Sequence, residues 1–224
     1  MECLEHQNIE YQKTKVDDLI EKLKSIDFHL LQETADKAQL NPQERLTSIM
    51  NVWAVAKTKL GNPKTALDVG SGFAYGTVFL DMNNIKAIGI ENVHSKNVQA
   101  IELFRKIGIT LNKIKEVDFS KSPAILETDF TTLQFQEVAD LITMFYLSGE
   151  LVINPQTFQI CEKLLKKNGK IMLSTEADRA TVEKIIINGN FKLPSNFSLE
   201  IIDVPNNFEK TIIILNKVQK IITR

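Results

Sequence analysis

The chain's densest chemical signal is the stretch TALDVGSGFAYG, residues 65–76. An aliphatic run reaches Asp68, then Gly70 and Gly72 follow within four residues, and a helix can begin near Phe73. Glycines let the backbone bend tightly and approach a ligand, and the free N–H groups that open a helix favour an anionic ligand group. Such a bend is a cradle for a nucleotide-like molecule. A glycine pair alone also suits a plain strand-to-helix turn. Here a second acid, Glu91, closes the next aliphatic run, in the place where a carboxylate grips the hydroxyls of a ribose. The dinucleotide fingerprint wants a third glycine three positions after the second, and that position is Tyr75, with Gly76 one step late. An acid in the cradle, Asp68, would also repel a pyrophosphate, whereas it can accept from an ammonium.

These residues act only if the surrounding elements hold them. Thr65 to Val69 reads as a buried strand, and short aliphatic runs recur at Ala87 to Glu91, Ala124 to Thr128, Asp140 to Phe145 and Lys170 to Ser174. Helical stretches separate them. One begins near Phe73, and another runs from about Ser95 through Phe104 and Ile107, either stopping at Gly108 or continuing to Leu111 and Ile114. A third starts at the Asn154 cap and Pro155, carries a stripe of Phe158, Cys161, Leu164 and Leu165, and stops at Asn168-Gly169. This alternation is the signature of a parallel sheet with crossover helices. Leu199 to Val204 and Lys210 to Leu215 flank Pro205-Asn206-Asn207 and read as two antiparallel strands joined by a turn.

The first sixty residues carry helical spacing alone. Val16, Leu19, Ile20, Leu23 and Ile26 make one apolar stripe. Asn41, Pro42 and Glu44 announce a second helix, whose stripe of Leu46, Ile49, Met50, Trp53 and Leu60 ends at Gly61. We expect a helical extension over 1–62 and a ligand-binding domain over 63–224.

Composition narrows the function. With 27 basic and 28 acidic side chains the 224 residues carry a net charge of -1, which argues against whole-molecule attraction to nucleic acid and leaves room for a local basic patch. No apolar run reaches the ~18 residues of a membrane span. The opening MECLEHQNIE lacks the cationic leader and apolar stretch of a secretory signal, so a reduced, cytoplasmic protein without a membrane partner is expected. Cys3 and Cys161 make no disulfide framework, and His6, His29 and His94 lie too far apart to form a metal site with them.

The cradle resembles the first motif of class I S-adenosylmethionine-dependent methyltransferases, acid-x-Gly-x-Gly-x-Gly/Ala, matched throughout by Asp68-Val69-Gly70-Ser71-Gly72-Phe73-Ala74. The resemblance covers roughly 64–215. It implies an α/β, three-layer, Rossmann-like sheet of seven mostly parallel strands with a C-terminal antiparallel pair. Within the class, the chain resembles the non-SET protein lysine methyltransferases of the disruptor-of-telomeric-silencing type and their prokaryotic relatives. DVGSG, GIEN at 89–92 and Glu127-Thr128-Asp129-Phe130 carry that likeness. It implies that Asp68, Gly70, Ser71 and Gly72 hold S-adenosyl-L-methionine, that Glu91 with Asn92 beside it binds the ribose, and that Asp129 and Phe130 meet the adenine amino group and face. A carboxylate can accept an amino N–H, and a phenyl ring can stack on a purine. The implied acceptor is a protein lysine. Thr143-Met144-Phe145-Tyr146-Leu147 stands where the histone enzymes carry an asparagine pair before an aromatic, and the Asn/Asp-Pro-Pro-aromatic motif of amino-directed nucleic-acid methyltransferases is absent.

Methyl transfer from a sulfonium is an in-line displacement that depends on positioning and exclusion of water more than on acid–base help. A lysine must arrive neutral from a pKa of about 10.4. A narrow aromatic opening that strips water from its ammonium lowers that value. Phe145 and Tyr146, at the end of the fourth strand, are the candidate catalytic walls, Phe145 being equally suited to sheet core. Tyr75 either covers the donor or lies on a helix surface, and His94 reads as an isolated exposed histidine. Lys163, Lys166 and Lys167 read as complements to a helix end, and Trp53 and Cys161 as core. The alternatives are a methyltransferase acting on RNA or a small molecule, a donor-binding module without turnover, and a nicotinamide dehydrogenase, which Tyr75 disfavours.

Overall fold

The computed structural model describes residues 14–25, 41–147, 155–188 and 196–218. Helix α1 covers 14–24 and α2 covers Pro42–Leu60. The second begins as its first residues dictate: Asn41 Oδ1 accepts from the Glu44 N–H at 3.2 Å, and Pro42 sits in the first turn. Val16, Leu19, Ile20 and Leu23 of α1 are buried in one cluster with Leu46, Ile49, Val52 and Trp53 of α2. Ile26 and Asn154 lie outside the described residues.

The remaining elements alternate: β1 Thr65–Val69, α3 Tyr75–Met82, β2 Lys86–Glu91, α4 His94–Lys106, β3 Asn112–Ile114, β4 Ala124–Glu127, β5 Ala139–Leu147, α5 Pro155–Leu164, β6 Leu165–Thr175, α6 Arg179–Ile187, β7 Phe197–Asp203 and β8 Thr211–Lys217. Single 3-10 turns stand at Phe119–Lys121 and Phe130–Thr132. The strands form one sheet in the order β3-β4-β2-β1-β5-β6-β8-β7. Strands β1 to β6 pair in parallel, and β8 runs against both β6 and β7. Successive side chains of a strand point to opposite faces. Ala66, Leu141, Met172 and Ile212 therefore join the cluster of α1 to α4, while Leu67, Ile142, Leu173 and Ile213 join Phe158, Cys161, Leu164 and Val182 of α5 and α6. That is the expected three-layer α/β arrangement. No helix among the described residues is long and apolar enough to cross a membrane.

Two expectations change. The sheet has eight strands rather than seven, because Asn112–Ile114 pairs alongside β4 as an edge strand, with Asn112 opposite Ala124 and Ile114 opposite Leu126. Of the two alternatives for α4, the one in which Gly108 stops it holds: the helix ends at Lys106, and Gly108 follows at φ +81°. Helix α5 ends at Leu164, four residues before Asn168-Gly169. Its last carbonyls are taken from outside: Glu137 and Val138 N–H donate to Lys163 and Leu164, and Lys217 Nζ donates to Glu162 at 2.7 Å. Leu165 then pairs with Ala139 and opens β6. Of the three lysines assigned to the helix end only Lys163 lies in the last turn, whereas Lys166 pairs with Asp140 at 3.2 Å.

Candidate functional site

Strand order reverses at β1, which lies between β2 and β5. In open α/β sheets ligands bind outside the carboxyl ends of the strands at such a switch point. The bend after β1 sits there. Gly70 (φ +68°) and Gly72 (φ +53°) occupy the left-handed region that favours glycine. The Gly70 and Ser71 N–H groups donate to the Ile90 carbonyl at 2.9 and 3.2 Å, and the Gly72 N–H donates to Glu91 Oε2 at 3.1 Å. The bend is thus fastened to the end of β2. Glu91 is 7% exposed and takes the Val93 N–H on Oε1 at 3.0 Å. A carboxylate offers about four lone-pair sites, so two bonds leave it able to accept hydroxyls.

Asp68 lies beneath the bend at 2% exposure. Its Oδ1 accepts from Thr143 Oγ1 and its Oδ2 from Thr77 Oγ1, each at 2.9 Å, and the Thr77 backbone N–H adds a third bond. It therefore serves as an interior cap for α3, where Ala74 offers no side-chain cap. Burial pushes its pKa up to about 6 against those hydrogen bonds, and the Glu209 carboxylate adds to the rise. Above Asp68, a Cβ on Gly76 would stand 2.7 Å from both Asp68 Oδ2 and Phe145 Cδ2. A Cβ on Gly89 would stand 2.6 Å from Ser71 Oγ and Thr77 Oγ1. Sequence reasoning does not single out Thr77, and it names Thr143 and Gly89 only within the stretches Thr143 to Leu147 and GIEN, with no role for either. The one local signal was a glycine inside the aliphatic run Lys86–Glu91, which marks a close approach.

The structure brings Asp68, Gly70, Ser71, Gly72, Glu91 and Phe145 together. Phe145 is 9% exposed, packs on Gly76 and belongs to the cluster of α1 to α4. Tyr146 continues the β5 backbone, and its side chain lies outside what the structure describes. Asn92 is exposed just past β2. Asp129 and Phe130 follow β4, whose Glu127 is paired in register with Glu91. Asp129 Oδ1 accepts from the Thr131 hydroxyl and N–H at 2.7 and 2.8 Å, which holds its carboxyl below the usual range. Its exposed Oδ2 has no partner among the described residues. Phe130 gives most of its ring to the cluster of α5 and α6.

Two other readings are revised. Tyr75 neither covers a ligand nor lies on a helix surface. It is buried between Phe73 and Phe104, with ring centroids 6.4 and 6.0 Å away, and burial pushes its hydroxyl pKa up. His94 is exposed but not isolated: its Nδ1 lies 2.9 Å from Glu127 Oε1, and Lys113 Nζ lies 2.8 Å from Glu127 Oε2. Bonds from Lys113 and His94 hold the Glu127 carboxyl down at about 2. Trp53 and Cys161 are buried as expected.

The fold is similar to that of an S-adenosylmethionine-dependent methyltransferase from Aquifex aeolicus, with 14% identity, 83% of this chain and 100% of that one covered, and a TM-score of 0.56. It is also similar to the ribosomal protein L11 methylase of Lactobacillus delbrueckii subsp. bulgaricus, at 14% identity over 77% of this chain and 80% of that one, with a TM-score of 0.53. The N-methyltransferase NodS of Bradyrhizobium japonicum, solved with S-adenosyl-L-homocysteine, matches at 11% identity over 84% and 94%, with a TM-score of 0.54. No protein-family model matches the sequence, and no curated protein matches it either. At these identities the likeness is one of fold: the chain has the Rossmann-like methyltransferase fold, and no acceptor follows from it.

Proposed function

We propose that the protein is an S-adenosyl-L-methionine-dependent N-methyltransferase whose acceptor is a protein lysine. The observation that carries the reading is the bend at Gly70 to Gly72 tied by the Gly72 N–H to a buried Glu91 at the end of β2. When bound, the donor supplies a methyl group on a positively charged sulfur. The chain's residues fit such a molecule. Glu91 has acceptor capacity left for a ribose diol, and Asp129 Oδ2 can accept an amino N–H. Gly70 and Gly72 let the backbone approach closely. Asp68 keeps the bend in shape through Thr77 and Thr143, and places an acid beneath a ligand ammonium. We assign to Phe145 and Tyr146, at the end of β5, the wall at which an incoming ammonium loses water and gives its proton to solvent.

The lysine acceptor rests on the DVGSG, GIEN and Glu127-Thr128-Asp129-Phe130 resemblance. Labelled methyl transfer from S-adenosyl-L-methionine into separated protein, RNA and metabolite pools tests it. Label recovered as methyllysine supports the proposal. Label in RNA or a metabolite alone replaces the acceptor, and donor binding without transfer to any pool leaves a non-catalytic binding module.

A further inference from the structure

A cavity lies on the same edge of the sheet as the bend. Thr175 at the end of β6 pairs with Thr211 at the start of β8, so the turn between β7 and β8 stands at the carboxyl edge of the parallel strands. Between that turn and the first half of α2 is a cleft of about 460 Å³, within the range of about 300–1,000 Å³ typical of ligand sites. Its lining is dominated by carboxamides: Asn41, Gln43 and Asn51 from the α2 side, Asn206 and Asn207 from the turn. A carboxamide carries both donors and an acceptor, the complement a peptide group needs. Asn41, Asn51 and Asn207 spend part of theirs on Glu44, Asn207 and Ser48, whereas the Gln43 and Asn206 side chains have no partner among the described residues. Glu44 is the one formal charge among the described lining residues. Arg45 has its guanidinium over the Phe208 ring, 5.5 Å from the centroid.

The floor of the cleft is a buried hydrogen-bond network. Glu209, fully buried, accepts from Ser48 Oγ at 3.2 Å and from Ser174 Oγ, joining the turn to α2 and β6. Asn207 Nδ2 donates to Ser48 Oγ at 3.0 Å, and Asn51 Nδ2 donates to Asn207 Oδ1 at 3.2 Å. Burying a carboxylate is expensive unless hydrogen bonds satisfy it. Here that network fixes the cleft's amides. Ser174 stands on β6, the neighbour of β5, whose Thr143 holds Asp68, so adjacent strands carry the floor of the cleft and the floor of the bend.

We propose that this cleft binds the main chain of the methyl-accepting polypeptide beside its lysine, an inference that rests on the methyltransferase reading above. Nucleic-acid backbones need cations to neutralise their phosphates. The described lining offers amides and one acid, with the Arg45 guanidinium over the lining Phe208 beside them, which suits the paired donors and acceptors of a peptide main chain better than a row of phosphates.

The test is NMR of the full chain, first with S-adenosyl-L-homocysteine, then with acetyl-glycyl-lysyl-glycine amide, and in a parallel sample with uridine 5′-monophosphate. The peptide is expected to shift the side-chain amide signals of Asn51 and Asn207. In Asn51→Ala/Asn206→Gly its apparent Kd is expected to rise about tenfold, with S-adenosyl-L-homocysteine binding unchanged. Glycine suits the φ of +54° at position 206, so the turn survives that change. No shift at either amide up to about 20 mM peptide overturns the inference, and so does a response to the nucleotide alone. Failure of S-adenosyl-L-homocysteine to bind removes the methyltransferase reading instead, and the peptide titration still decides what the cleft takes.

Discussion

Replacing Asp68 with asparagine removes a buried charge while keeping its shape, and its consequence is a pH dependence with a definite sign. Asp68 is 2% exposed, and burial raises its pKa from 3.8 to about 6 in the folded chain. Between those values the folded state holds the proton more tightly than the unfolded one. The stabilisation from this group is therefore complete below the unfolded value and is lost as pH rises through the folded one. The shift corresponds to roughly 3 kcal/mol at about 1.4 kcal/mol per unit. Asparagine has no such equilibrium. The stability of Asp68→Asn minus that of wild type should then rise by up to roughly 3 kcal/mol between about pH 4 and pH 7. Taking the difference cancels carboxylates that titrate the other way, such as Asp129 and Asp178, held low by bonds from Thr131 and Thr181. Urea unfolding followed by circular dichroism, without ligand and across a pH series, gives both curves. A difference that stays flat would refute the buried, desolvated carboxylate, and one that falls with pH would mean that Asp68 is held ionised.

Gly76→Ala places a methyl 2.7 Å from Asp68 Oδ2 and Phe145 Cδ2. Overpacking of about 1–3 kcal/mol outweighs the ~1 kcal/mol gain in helix propensity, so Tm should fall by a few degrees in a thermal melt, and an unchanged or higher Tm contradicts the close contact. Glu127→Gln removes the bonds from Lys113 and His94 that hold this carboxyl near 2, a contribution present above its ordinary 4.5 and lost as pH falls toward 2. Its destabilisation relative to wild type should shrink over that window, and a constant difference contradicts the pairing. Cys161 is fully buried, with its thiol pKa pushed up. Iodoacetamide at about pH 8 should alkylate it only in urea, read by peptide mass, and modification of the folded chain on the same timescale speaks against the burial.

Much of the framework was legible because the signals were local. Thr65–Val69 and Lys86–Glu91 are aliphatic runs bounded by polar or turn-forming residues, as strands buried on both faces must be, and Asn41-Pro42 carries its own cap chemistry. The bend was legible for the same reason, since Gly70 and Gly72 meet a backbone requirement written at their own positions. What stayed hidden depends on contacts between remote segments. Thr143 meets Asp68 across 75 positions and Ser48 meets Glu209 across 161, and no periodicity reports such a meeting. The edge strand Asn112–Ile114 has half-buried or exposed side chains and no aliphatic run to mark it. Helix α5 stops where Glu137, Val138 and Lys217 take its carbonyls, a tertiary decision that overrides Asn168-Gly169.

Isothermal titration calorimetry of S-adenosyl-L-homocysteine into wild type and Glu91→Ala tests the central claim most directly. The predicted result is one site with a Kd of about 10 μM, weakened at least about tenfold by the substitution. An absence of heat at wild-type concentrations of about 100 μM, or equal affinity in the two proteins, would contradict the assignment of the β1 bend and Glu91 as the donor clasp.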